Sequence, residues 1–185
     1  MHSDYNYEIE APKVLIIGDS NTRDIDSEKF SGKMQTEIIN RAFTCELATQ
    51  ELERQKNRDF DAIVLHVGTN HAKQHDQPTV KCSNTVKSMI DSALHNHPTS
   101  KIIVAPIPPS QNSKIDGKIT DINSLVEKHF MNNDRISFVL NGKVRKREGQ
   151  KYVFLKDMYH LSDSGTKILA GAIKRSIKEA LFKNE

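Results

Sequence analysis

The sequence predicts an α/β sandwich built on a parallel sheet, and three observations carry that prediction. Four short, nearly continuous apolar runs, at residues 14–17, 62–67, 102–105 and 136–140, are rich in Val and Ile, as strands buried on both faces are. The runs are widely spaced, and segments with apolar residues at helical spacing lie between them. Strands that alternate with helices imply right-handed crossovers, which lay the helices against one sheet.

The elements follow in order. Residues 1–12 are polar and end at Pro12, so they read as a disordered leader or a linker stub, with residues 13–185 as one domain. The run 14–17 is the first strand, and residues 34–40 form a weaker strand candidate. Residues 43–54 read as a helix with Leu47 and Leu52 inward, before the strand 62–67. The helix 79–95 carries Val86, Met89, Ile90 and Leu94 on one stripe. After the strand 102–105, Pro106, Pro108 and Pro109 make a stiff turn, and a helix over 116–131 presents Ile119, Ile122, Leu125 and Val126. Beyond the strand 136–140 comes a basic insertion, 141–156. It holds Lys143, Arg145, Lys146, Arg147, Lys151 and Lys156 against Glu148 alone. Glu148, Gly149 and Gln150 suggest a hairpin turn, with 151–155 as its second arm. The last helix spans 162–182, with Ser162 as N-cap and Ile168, Leu169, Ala172, Ile173, Ile177 and Leu181 as its stripe.

Composition narrows the class. Of 185 residues, 36% are apolar and 28% charged, but the apolar ones cluster, which excludes global disorder. No apolar run approaches the ~18 residues of a membrane-spanning helix. Residues 1–10 lack an apolar signal segment, so no secretory signal is expected. Cys45 and Cys82 have no Cys/His framework around them. A disulfide scaffold or cysteine zinc site is therefore disfavoured, and a reducing, cytoplasmic setting is expected. The net charge of +3 does not imply nucleic-acid binding without local clustering.

In doubly wound sheets, sites form beyond the carboxyl ends of the strands. Three loops bring polar residues there: Gly18–Asp19–Ser20–Asn21, Gly68–Thr69–Asn70–His71, and Asp157–Met158–Tyr159–His160. Ser20 fits a nucleophile, which needs a base to take its proton. His160 fits that base, and Asp157, three residues earlier, fits the group that fixes its tautomer. Asn70 offers an amide donor toward an oxyanion, beside the Ser20 backbone N–H. Each tripeptide alone is an ordinary turn; Asp157 also suits a lysine partner, and His160 a helix cap. The conjunction at one edge is what points to chemistry.

These blocks resemble three of the four that mark the SGNH (GDSL) hydrolases, over roughly residues 13–182. The resemblance implies a flavodoxin-like, three-layer α/β/α sandwich with a five-stranded parallel sheet, and ester hydrolysis or acyl transfer. It makes Ser20 the nucleophile, His160 the base, Asp157 its orienter and Asn70 an oxyanion donor. The remaining block supplies a glycine N–H to the oxyanion hole, and here Ala42 stands in its place. The chain lacks the second glycine of a Gly-x-Ser-x-Gly elbow, which disfavours the α/β-hydrolase fold. The phrases IGDSNTRDID (17–26), HVGTN (66–70) and YHLSDSGT (159–166) further resemble the esterase domain in the first open reading frame protein of LINE-type non-LTR retrotransposons. That subgroup implies an intracellular esterase on a larger self-associating, nucleic-acid-linked protein.

The other candidates have plainer readings. His66, His71 and His75 lack a matching carboxylate cluster, so no metal is expected, and His71 belongs to the cleft rim. His95 and His97 read as solvated, and Cys45 and Cys82 as buried and inert. Asp19 reads as a turn-holder and Arg23 as a carboxylate partner. The expectation is a serine esterase acting on small, short-chain acyl esters without metal or organic cofactor. The alternative is a weakly active or inactive hydrolase-fold module that binds anionic lipid or nucleic acid through Lys143, Arg145 and Arg147. Acyl transfer to a sugar or other alcohol is a third reading.

Overall fold

The computed structural model describes residues 10–30, 33–140, 153–157 and 159–182. Residues 1–9 of the 1–12 leader lie outside these residues, as does the basic run with Lys143, Arg145, Arg147 and the 148–150 turn. Among the described residues five strands and five α-helices follow in the order β1 (Lys13–Gly18), β2 (Gln35–Ile39), α1 (Cys45–Gln55), β3 (Ala62–His66), α2 (Thr69–Lys73), α3 (Thr79–Asn96), β4 (Lys101–Val104), α4 (Ser113–Phe130), β5 (Ile136–Phe138) and α5 (Asp163–Phe182). All strand pairs are parallel, in the order β2-β1-β3-β4-β5. Ile16 lies level with Val64, and Val64 with Ile103, across the three central strands.

Alternation along the strands divides the core. Leu15, Ile17, Ile63, Leu65 and Ile102 pack with Leu52, Met89, Ile90 and Ile122 of α1, α3 and α4. Val14, Ile16, Val64 and Ile103 pack on the other face with Leu169, Ile173 and Ile177 of α5. Both faces of the central strands are covered, so their sequences run apolar without a break. This is the expected three-layer α/β/α sandwich. Among the described residues, no helix is long and apolar enough to cross a membrane.

Several expectations need correction. Leu47 and Leu125 are exposed. Leu52 of α1 and Ile119, Ile122 and Val126 of α4 are buried as expected; the inward positions beside the two exposed leucines are Ala48 and Val126. The single-turn helix α2 is too short to leave a periodic signal. His97 is buried, not solvated: the chain doubles back after α3 and sets its ring edge-on to Phe60 at 6.0 Å. Burial pulls its pKa down. Arg23 is exposed, and no carboxylate pairs with it among the described residues.

Candidate active site

The first part of the site is the turn that ends β1. The Asp19 side chain accepts the Asn21 N–H at 3.0 Å, and its carbonyl accepts the Thr22 N–H at 3.1 Å and the Thr22 hydroxyl at 2.8 Å. These bonds wind Ser20–Thr22 into a 3-10 turn. Asp19, buried, is the turn-holder the sequence suggested. A side chain at Gly18 would meet the Thr22 hydroxyl at 2.2 Å, so this turn needs glycine for space. Ser20 stands half-buried on top.

The second part is a loop before α5. Leu155 N–H donates to the His160 carbonyl at 2.8 Å, and Ser162 N–H to the Val153 carbonyl at 2.9 Å. An antiparallel bridge between Phe154 and Leu161 sits between them. The 151–155 arm expected to pair upstream thus pairs, over its described part, with the segment after it. The bridge pins both ends of a short loop that carries Asp157 and His160. Asp157 Oδ1 accepts the N–H groups of Tyr159 and His160, each at 2.9 Å, and Oδ2 lies 2.5 Å from His160 Nδ1. Burial raises the Asp157 pKa, but the His160 ring and the two backbone N–H groups outweigh it and hold it at about 2. His160 Nε2 then lies 2.9 Å from Ser20 Oγ. Residues 140 apart in sequence meet in one hydrogen-bonded line, Asp157–His160–Ser20. Ser162 caps α5 as expected, its hydroxyl accepting the Gly165 N–H at 3.3 Å.

The third part is the loop after β3. Gly68 has φ +137°, a conformation that side chains oppose, and a Cβ there would meet Ile107 Cδ1 at 2.8 Å. Asn70 follows in the first turn of α2, and its amide donates to the Phe43 carbonyl at 2.7 Å. Ala42 is fully buried, and its N–H donates to the Gly18 carbonyl at 3.2 Å. The Ala42 N–H is therefore engaged at the sheet edge, and one Asn70 N–H is engaged with the next loop. No acceptor takes the Ser20 N–H among the described residues.

Some contacts here are tertiary and left no mark in the sequence. His71 Nε2 accepts the Cys45 N–H at 3.2 Å and lies 3.1 Å from Glu46 Oε2, tying α2 to the start of α1. Lys73 lies over the Tyr159 ring at 4.5 Å, joining α2 to the His160 loop. Cys45 is buried, which pushes its thiol up to about 12, so it stays a protonated, inert group. Among the described residues no three His, Cys, Asp or Glu side chains gather as a metal ion would need.

No protein-family model and no curated protein sequence matches the chain. Solved structures do. A GDSL-like lipase from Bacteroides thetaiotaomicron superimposes with a TM-score of 0.72 at 20% identity, over 92% of this chain and 89% of that one. A lipase/acylhydrolase from Enterococcus faecalis gives 0.68 at 18% identity, over 94% and 99%. A member of the lipolytic G-D-S-L family from Veillonella parvula gives 0.65 at 16% identity, over 95% and 100%. The chain has the α/β/α fold that these lipolytic proteins share.

Proposed function

We propose that the protein is a serine ester hydrolase of the SGNH type that acts on small acyl esters. The observation that carries this reading is the line Asp157–His160–Ser20, with 2.5 Å and 2.9 Å between its polar atoms. Ser20 Oγ attacks the acyl carbonyl while His160 Nε2 takes its proton. Asp157, ionised, keeps the Nδ1 proton in place and stabilises the imidazolium. The oxyanion takes the Ser20 N–H and the second Asn70 N–H. His160 then protonates the leaving alcohol, and water attacks the acyl-serine by the same route in reverse. The shared fold of named lipases and acylhydrolases supports an acyl ester as substrate. Short chains suit a sequence without a long apolar segment for a deep tunnel.

The three phrases at 17–26, 66–70 and 159–166 support a narrower placement, as the esterase module of an intracellular retrotransposon protein. One observation favours the second reading, a binding module with weak catalysis: the Ala42 N–H is held by Gly18, which removes a donor from the proposed oxyanion hole. In that reading the Lys143, Arg145 and Arg147 run attracts anionic lipid or nucleic acid, and the attraction weakens with salt. Turnover of nitrophenyl esters from acetate to decanoate separates the two. The hydrolase reading expects saturable turnover that is highest on the shortest chains and is lost in Ser20→Ala. Turnover unchanged in Ser20→Ala would contradict it.

A further inference from the structure

Asn21 follows Ser20 directly, and its side chain is buried. Its Oδ1 accepts the N–H of Leu161 at 3.0 Å. Leu161 in turn follows His160 directly. One buried hydrogen bond therefore joins the residue after the nucleophile to the residue after the base, across 140 positions of sequence.

The local backbone explains why Leu161 needs a partner there. In the bridge, the His160 carbonyl and Ser162 N–H both face residues 153–155. The residue between them turns its own N–H to the opposite side. Leu161 is itself buried, so that N–H would be left without an acceptor. Asn21 supplies one. The turn around it is already fixed, because the Asn21 N–H is held by Asp19 Oδ1 at 3.0 Å. Asn21 thus transmits the position of a rigid turn to the loop, in addition to the bridge at its two ends and the contact of Lys73 with Tyr159.

We infer that Asn21 is a positioning residue: through Leu161 it sets the separation of His160 Nε2 from Ser20 Oγ. The inference rests on the esterase reading above. A purely apolar residue after Ser20 could fill the same volume but not hold the loop in register. The amide nitrogen of Asn21 is buried without a partner among the described residues, so the oxygen is the part in use.

The test compares the second-order rate of Ser20 phosphonylation by a fluorophosphonate with the thermal midpoint, in the native chain, Asn21→Leu and Asn21→Asp. Measurements are made well below each midpoint, where every variant is folded. The expected result is a fall of about 10- to 100-fold in labelling rate for Asn21→Leu, since small misplacements of a base cost that much. On nitrophenyl acetate kcat should fall in step while KM stays within about twofold, because the loss acts on proton transfer rather than binding. Asn21→Asp keeps an acceptor oxygen in place and should hold labelling within about fivefold of native. If Asn21→Leu does not fold, Asn21→Ser, which also withdraws the oxygen from Leu161, carries the same comparison. Labelling within about twofold of native in a variant with a lowered midpoint would overturn the inference, leaving a bond that only stabilises. A native chain that does not label at Ser20 would instead overturn the esterase reading, and this inference with it.

Discussion

At the scale of single residues, the sharpest chemical statement concerns Asp157. Its pKa is depressed from 3.8 to about 2 by bonds that favour the carboxylate. A depressed group adds stability that is complete above 3.8 and lost as pH falls toward 2. With 46% of the side chain exposed, solvent screening keeps that contribution to about 1 kcal/mol or less. For activity, the sign is clear: Asp157 stays ionised through the whole neutral range, so no loss of hydrolysis there should trace to its protonation. Asp157→Asn removes the partner that selects the tautomer, and hydrolysis should fall by about 10⁴-fold with the fold intact. A pH–rate profile on nitrophenyl acetate, with and without that change, checks both statements. Asn70→Ala should lower kcat by about 100- to 1000-fold with KM nearly constant, as loss of an oxyanion donor does. A raised KM at constant kcat would make Asn70 a substrate-binding residue instead. Ser20, Asp157 and His160 are legible in the sequence because each sits in a short polar loop directly beside a recognisable strand or helix. The commitments of Ala42 to Gly18 and of Asn70 to Phe43 are not, because each pairs a residue with a distant loop.

At the scale of elements, the first turn of α5 shows how closely the His160 loop is seated. A Cβ at Gly165 would meet the Val153 carbonyl oxygen at 2.2 Å and Leu161 Cβ at 3.1 Å. Backbone oxygen cannot rotate away, so Gly165→Ala must push 153–155 and 160–162 outward. It should cost about 1–3 kcal/mol in urea unfolding, as overpacking does, and reduce hydrolysis as well. At Gly171, in the same helix, an added Cβ would meet no neighbouring element within 4 Å. Gly171→Ala should therefore stabilise by about 0.5–1 kcal/mol and leave hydrolysis unchanged. The strands and the four longer helices are readable because apolar runs and 3.6-residue stripes are local signals. Leu47 and Leu125 mislead because each lies one position from a buried residue, Ala48 and Val126, and only packing against the sheet chooses between such neighbours. The short helix α2 and the position of His97 are set by how the chain folds back, which no local pattern encodes.

At the scale of the whole molecule, the parallel sheet does one thing for function. It delivers the ends of β1 and β3 to one edge, where Ser20 and Asn70 follow them, while α5 covers the opposite face and holds the His160 loop from the side. The line Asp157–His160–Ser20 is thus assembled from distant segments, on a frame whose two core clusters cover both faces of the sheet. The most direct test of the account is covalent. The native chain treated with a fluorophosphonate, digested and mapped by mass spectrometry, should carry a single phosphonyl adduct on Ser20, and His160→Ala should abolish it. An adduct on another residue, or an equal yield on Ser20 in His160→Ala, would contradict the account.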